Sequence, residues 1–349
     1  MRFDELELED EILDGLYDMN FQEMTPVQEH TIPVILEGRD IIGCAQTGTG
    51  KTAAYTLPLL NRLLLEGNED NVIKSVIIVP TRELAQQIDQ QFQGFSYYLP
   101  ISTTVVYGGG DGKGWDVQKR GMLMGSDVVI ATPGRMISHI QNSGIDLSHV
   151  ECLILDEADR MLDMGFIHDI RRILPLLPEK RQTLFFSATM PDDIVKLANT
   201  MLRNPAHVTV TPPASVVETI RQSVLFAEKA EKRTLLASLL RERPESSVLV
   251  FSRTKHGADR IARILTKAGI EGRAIHGDKS QGARERAMND FRSGACRVLI
   301  ATDIAARGID ISELPLVINY DLPEVPETYV HRIGRTGRAG RDGQAIAFC

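Results

Sequence analysis

The sequence predicts an α/β protein of two tandem domains, each a mainly parallel sheet flanked by helices. Short apolar, β-rich runs recur along the chain, and most are continuous rather than alternating, as strands buried on both faces of a parallel sheet must be. Helical patterns separate these runs. In Gln281–Phe291, for example, Ala283, Ala287, Met288 and Phe291 share one helical face and Ser280 stands where it can cap. The 349 residues also exceed what one core usually organises, at roughly 100–200 residues per domain.

In the first half the predicted strands are Asp40–Ala45, Val76–Val79, Thr103–Tyr107, Asp127–Ala131, Cys152–Asp156 and Thr183–Ser187. In the second they are Val248–Phe251, Arg273–His276, Val298–Thr302, Leu316–Tyr320 and Gln344–Phe348. Two adjacent prolines, Pro212 and Pro213, break any helix and mark residues 210–216 as a linker. The expected domains are therefore 1–209 and 217–349. The chain stops one residue beyond its last predicted strand, which leaves room for a closing helix or tail.

Composition narrows the function. With 43% hydrophobic and 25% charged residues, the chain reads as a globular enzyme and not as a low-complexity or fibrous one. No apolar run approaches the ~20 residues of a membrane span. The acidic start Met1–Asp10 has no signal-peptide core, and the four cysteines form no C-x-x-C pair, so a reducing cytoplasm is expected. The net charge of −8 argues against coating nucleic acid by bulk attraction. That charge is unevenly divided. Residues 1–212 hold 17 basic and 30 acidic residues, net −13, whereas 213–349 hold 22 and 17, net +5. Most of the basic residues in the second half are arginines, whose planar forks suit phosphate.

Ala45–Thr52 (AQTGTGKT) follows a predicted strand and precedes the helical run Ala53–Leu65. In this context Thr47, Gly48, Thr49 and Gly50 form a turn whose N–H groups cradle phosphates, reinforced by the helix N-terminus. Lys51 would reach the β- and γ-phosphates, and the Thr52 hydroxyl would ligate Mg²⁺. The usual pattern has glycine where this chain has Ala45. Further on, the apolar strand Cys152–Leu155 ends in Asp156-Glu157-Ala158-Asp159, carboxylates that are costly to bury unless a cation or water satisfies them. Asp156 suits Mg²⁺, and Glu157 suits polarising an attacking water.

With these residues the chain resembles the DEAD-box ATP-dependent RNA helicases of superfamily 2, over essentially its whole length. The resemblance implies two RecA-like domains with ATP between them. Phe21–Gln28 (FQEMTPVQ) resembles the adenine-reading Q motif: Gln28 would bond the adenine edge and Phe21 stack on its face, with Phe3 upstream as part of the nucleotide site. Asn20 and Met24 stand where the family often has Gly and Pro.

Pro80, Thr81 and Arg82 of PTRELA, the Gly108–Gly109 pair, and Thr132, Pro133, Gly134 and Arg135 of TPGR match the family's RNA motifs. Each follows a predicted strand and would bind phosphates without reading bases. Ser187-Ala188-Thr189 matches the motif that couples hydrolysis to strand separation, through Ser187 and Thr189.

The second half continues the resemblance. VFSRTK, HGDKSQGAR and ATDIAARGID imply Gly277, Arg284 and Thr302 as RNA contacts and Asp310 as a ribose contact. In Tyr329–Arg341 (YVHRIGRTGRAGR), arginines recur every three residues at Arg332, Arg335, Arg338 and Arg341. By resemblance Arg335 and Arg338 are arginine fingers for the γ-phosphate, and His331 links phosphate, water and the S-A-T motif. The implied function is RNA-stimulated ATP hydrolysis with Mg²⁺, driving local unwinding of short duplexes or remodelling of RNA–protein complexes, without base specificity. A DNA-directed translocase of superfamily 2 and a nonenzymatic RNA clamp are the alternatives. The first would not be expected to combine this Q motif with D-E-A-D and PTRELA. The second predicts loss of Lys51, Glu157 or Arg338, all of which are present. The RNA target and any protein partner are not legible.

Overall fold

The continuous apolar runs form the centres of two sheets in which every strand pairing is parallel. The computed structural model describes the chain apart from residues 47, 69, 110–111, 211–219, 245, 307–313, 325 and 338–342, and apart from the side chains of 112, 113, 281, 304 and 327. Thr47, Asp310, Arg338, Arg341 and all of the 210–216 linker except Val210 thus lie outside the described residues. The chain divides into two compact units, Met1–Thr211 and Pro212–Cys349.

The first unit contains β1 (Ile41–Cys44), β2 (Ser75–Ile78), β3 (Thr103–Val106), β4 (Val128–Ala131), β5 (Cys152–Leu155), β6 (Gln182–Ser187) and β7 (Ala206–Thr209). They lie side by side in the order β3-β4-β2-β5-β6-β1-β7. All residues of β2, β4, β5 and β6 are buried. Neighbouring residues on one strand enter opposite layers. Ile77, Ile130, Ile154, Leu184 and Phe186 pack in one core, while Ile78, Val129, Leu153, Leu155 and Phe185 pack in the other. Both faces thus need apolar side chains, which is why alternation is missing from the sequence. Each large aliphatic buried in this way contributes about 1.5–3 kcal/mol.

The second unit contains β8 (Ile220–Leu225), β9 (Val248–Phe251), β10 (Gly272–Ile275), β11 (Val298–Ala301), β12 (Leu316–Asn319) and β13 (Gly343–Phe348), in the order β10-β11-β9-β12-β13-β8. Two strands go beyond the sequence expectation, β7 and β8. Each is an outer strand of its sheet; β7 alternates between half-buried and exposed residues, and β8 leaves Arg221, Gln222 and Val224 exposed. Sequences such as AHVT and IRQSVL lack the continuous apolar signal because one neighbour and much of one face are absent. The helix after the phosphate loop runs Lys51–Glu66, and the one capped by Ser280 runs Gln281–Arg292, with Ser280 Oγ accepting from the Ala283 amide at 3.4 Å.

Parallel pairing has one consequence for function. The loops after β1 to β6 all leave from the same rim of the first sheet. Along that rim, strand order fixes the sequence of motifs: Gly108–Gly109 after β3, TPGR after β4, PTRELA after β2, D-E-A-D after β5, S-A-T after β6 and the phosphate loop after β1.

Candidate nucleotide and nucleic-acid site

The phosphate loop ends on Gly50, whose φ of 91° lies in the left-handed region and caps the helix Lys51–Glu66. Gly48 has φ 83°. The Thr49 hydroxyl donates to the Gln46 carbonyl at 2.8 Å and closes the turn. Lys51 starts the helix, is 5% exposed, and places Nζ 3.7 Å from Asp156 Oδ1, with no hydrogen-bond partner among the described residues. A buried ammonium without hydrogen bonds is expensive, and an incoming anion would satisfy it.

Asp156 follows β5 and is itself buried. Its Oδ2 accepts from Tyr55 OH at 3.1 Å and its Oδ1 from the Glu157 amide at 2.8 Å. Burial pushes the Asp156 carboxyl above its ordinary range; the Lys51 ammonium draws it back and the Glu157 charge pushes it up again. Burial and then the Asp156 charge hold Tyr55 well above an ordinary phenol, so it remains the donor. Glu157 adopts φ 56°, ψ 47°, a left-handed conformation uncommon for a residue with a side chain. This turn sends the chain from β5 into the helix Ala158–Asp163 and leaves Glu157 in an ion pair with Arg160.

Asp159 faces β6. Its Oδ2 accepts from both the amide and the hydroxyl of Thr189, each at 3.0 Å, and its amide donates to Ser187 Oγ at 3.2 Å. Ser187 Oγ in turn donates to the Thr189 carbonyl at 2.7 Å. The D-E-A-D and S-A-T segments are therefore one hydrogen-bonded unit through Asp159.

Gln28 is buried at the start of the helix Pro26–Leu36. Its Oε1 accepts from the Thr25 amide at 2.8 Å, and its Nε2 donates to the Gly50 carbonyl at 3.0 Å. The amide thus ties the Q-motif segment to the phosphate loop. Phe21 is partly exposed, edge-on to Phe3 at 6.4 Å and to Phe95 at 5.2 Å between centroids, so the buried Phe3 supports Phe21 from below. Asn20 takes φ 60°, the conformation for which glycine is the usual residue and asparagine the common substitute.

On the β3-β4-β2 side of the rim, Thr81 caps the helix Arg82–Phe95 and accepts from the Leu84 amide at 3.3 Å. The Arg82 guanidinium lies over Tyr107 at 4.5 Å. Thr132 precedes Pro133 at the first turn of the helix Pro133–Ser143, where Gly134 and Arg135 follow. Arg135 passes over Gly108, beside Gly109 with its φ of 89°, and lies 5.2 Å from the Trp115 ring centroid. Trp115 stacks on His139 at 3.7 Å. Burial, helped by Arg135, lowers the His139 pKa to about 4, so at neutral pH the ring is uncharged and Nε2 can donate to Gln118 Oε1 across 3.0 Å. Tyr55, Arg160, Trp115 and His139 were not picked out from the sequence. In a helical pattern, an aromatic reads as core; the one signal the sequence offered was the rarity of Trp115, the single tryptophan.

In the second unit Gly277 follows β10 with open space above its Cα, Arg284 lies on the helix Gln281–Arg292, and Thr302 is buried immediately after β11. Arg332 is the first arginine of its motif. It is 2% exposed and forks onto Asp303 at 2.7 and 2.8 Å, donates to Asn319 Oδ1 at 3.0 Å and lies over Phe251. Those contacts lock the ends of β9, β11 and β12 together. Arg335 is buried and donates to the Ala306 carbonyl at 3.3 Å. His331 is half-buried beside Arg332 on the helix Pro326–Ile333. Among the described residues, no group of three or more His, Cys, Asp or Glu is arranged to hold a metal, and no helix is long and apolar enough to cross a membrane.

Comparison with known proteins places this arrangement. The DEAD/DEAH box helicase model matches residues 25–197, and the helicase conserved C-terminal domain matches residues 231–340. An ATP-dependent RNA helicase CshA from Listeria monocytogenes is 44% identical over 347 residues, covering 99% of this chain and 66% of the relative. The chain thus spans just under two thirds of the length of the curated relatives it matches. Among solved structures, S. cerevisiae Dbp5 bound to RNA and ADP BeF3 is 34% identical with TM-score 0.87, covering all of this chain and 89% of that one. A DEAD box protein from Methanococcus jannaschii is 39% identical with TM-score 0.57, covering all of this chain and 93% of its own. With tandem parallel-sheet units, a phosphate loop after β1 and a D-E-A-D turn after β5, the chain belongs to the DEAD-box group of the DEAD/DEAH box helicase family.

Proposed function

We propose that this chain is the ATP-hydrolysing core of an RNA helicase, which binds single-stranded RNA and locally unpairs short duplexes or remodels RNA–protein complexes. The observation that carries the reading is the buried Lys51 ammonium, which has no hydrogen-bond partner among the described residues and faces Asp156 on a rim that continues into the PTRELA, Gly108–Gly109 and TPGR segments. A triphosphate against the loop would pair with Lys51 and with the amides at the start of the helix Lys51–Glu66. Gln28, tied to the loop, and Phe21 would take the adenine. Mg²⁺ fits the donor set of the Thr52 hydroxyl and the Asp156 carboxylate, because this ion keeps most of its shell as water and phosphate oxygens. When bound, it would neutralise charge on the transferred phosphoryl group.

Glu157 orients and polarises the attacking water, and its strained backbone holds the carboxylate at the strand end. The backbone amides and arginines of the β3-β4-β2 side hold the sugar-phosphate strand, joined on the second unit by Gly277, Arg284 and Thr302. ATP and RNA together favour a closed state in which Arg335 and Arg338 reach the γ-phosphate and Asp310 the ribose, with His331 between phosphate and water. Asp159, bonded to both Ser187 and Thr189, carries the state of the D-E-A-D turn to the S-A-T segment. The domains are proposed as 1–209 and 217–349, and the site of action as the cytoplasm. The Dbp5 structure with RNA and ADP BeF3 supports the ligand assignment by likeness.

ATP hydrolysis measured alone, with single-stranded RNA and with DNA of the same sequence tests the reading. Stimulation by RNA and not by DNA is expected. Equal stimulation by DNA points to a translocase, and no hydrolysis at all points to a clamp.

A further inference from the structure

At the outer edge of the second sheet, β10 is flanked by the helices Lys255–Lys267 and Gln281–Arg292. An open groove of about 1020 Å³ runs along this strand. Its lining holds seven Lys or Arg against two Asp, a surplus of five, which equals the whole excess of basic over acidic residues in 213–349. Outside the groove the basic and acidic residues of 213–349 are therefore equal in number. Arg260, Arg263 and Lys267 stand at i, i+3 and i+7 on one helix, along about 10 Å of its face. Arg286 stands on the other helix. The two acids are already engaged, Asp259 by Lys279 at 2.7 Å and Asp290 by Arg273 at 3.3 Å. Among the described residues none of Arg260, Arg263, Lys267 or Arg286 is ion-paired.

The groove begins where the RNA rim of this unit ends. β10 leads into Gly277, and Lys279 follows two residues later and lines the groove. No aromatic side chain lines the groove, so it offers phosphate contacts without base stacking. We propose that this groove is an accessory track for the sugar-phosphate backbone of RNA that extends beyond the segment held at the strand ends. It rests on the RNA reading above and adds a length dependence that the reading does not require. An acidic protein segment would also meet the charge, but the continuity from Gly277 through Lys279 into the groove favours the nucleic acid.

The test uses the whole chain with a nonhydrolysable ATP analogue and oligouridylates of about 6 and about 20 nucleotides, either side of the usual footprint of a single-strand-binding domain. The long RNA should bind roughly tenfold tighter than the short one, with a steeper salt dependence. Arg260→Gln with Arg263→Gln and Lys267→Gln, all exposed helix positions, should remove most of that gain. The long-RNA salt slope should fall by about 2, at about 0.7 per lost phosphate contact. Binding of the short RNA and the ATPase it stimulates should stay unchanged. Arg286→Gln, on the opposite wall, should give a smaller loss of the same kind. If the parent binds both lengths equally, or the variants keep the full gain, the proposal is overturned. If polyglutamate binds the parent and not the triple variant while long RNA is unaffected, the groove belongs to an acidic protein and the proposal is again overturned. Failure of either RNA to bind would overturn the RNA reading itself, which the length comparison distinguishes.

Discussion

Glu157 and Lys51 are both buried, but the geometry gives them different tasks. Lys51 presents a donor that has no hydrogen-bond partner among the described residues, whereas Glu157 is turned by a left-handed backbone into an ion pair with Arg160. Glu157→Gln removes the polarising charge and keeps shape, so ATP and RNA binding should persist while turnover falls by about 10²–10⁴-fold, the range for general-base groups. Steady-state hydrolysis beside analogue binding checks this, and ordinary turnover would take Glu157 out of the chemistry. Trp115 offers a second reading on the RNA side. It is the only tryptophan, lies under Arg135 and stacks on an uncharged His139. Its emission should therefore shift when RNA engages Arg135, and Arg135→Ala should abolish the shift. An unchanged spectrum at saturating RNA would remove Arg135 from the contact surface.

The loop between β1 and its helix depends on Gly50. A Cβ there would stand 2.5 Å from Gln28 Nε2 and 3.0 Å from Thr25 Oγ1, at a φ of 91° that side chains rarely adopt. Gly50→Ala should push the Q-motif segment off the loop, weaken ATP and cost about 1–3 kcal/mol in backbone strain. Analogue titration and a thermal melt read the two effects, and parent-like ATP affinity would mean the Gln28–Gly50 link has no part in binding. The same elements show what a sequence displays. β2, β4, β5 and β6 were legible because both faces are buried and every position must be apolar. β7 and β8 were not, since an outer strand with open residues carries no continuous run. Glycines and charged residues at strand ends marked the loops. Hydroxyls directly after a strand already pointed Ser187 and Thr189 at the D-E-A-D carboxylates, and Thr189 does bond Asp159; the grip of Arg332 on three strand ends was hidden because it joins residues far apart in the chain.

Across the molecule the charge is divided, with net −13 in residues 1–212 and net +5 in residues 213–349. An acidic first unit repels RNA at long range and a mildly basic second unit attracts it weakly, so neither alone should hold a strand tightly. Tight binding then requires ATP to bring the two sets of phosphate contacts onto one strand. Binding energies are reciprocal, so RNA must then tighten ATP by the factor by which ATP tightens RNA, typically ~5–150-fold. Arg338→Ala should shrink that factor and suppress hydrolysis while leaving ATP bound through Lys51. The decisive measurement is RNA affinity of the whole chain with and without a nonhydrolysable ATP analogue, at one fixed salt concentration because phosphate contacts are salt-sensitive. Tight binding only with the analogue is the predicted result; equal affinity in both conditions would contradict the closing mechanism.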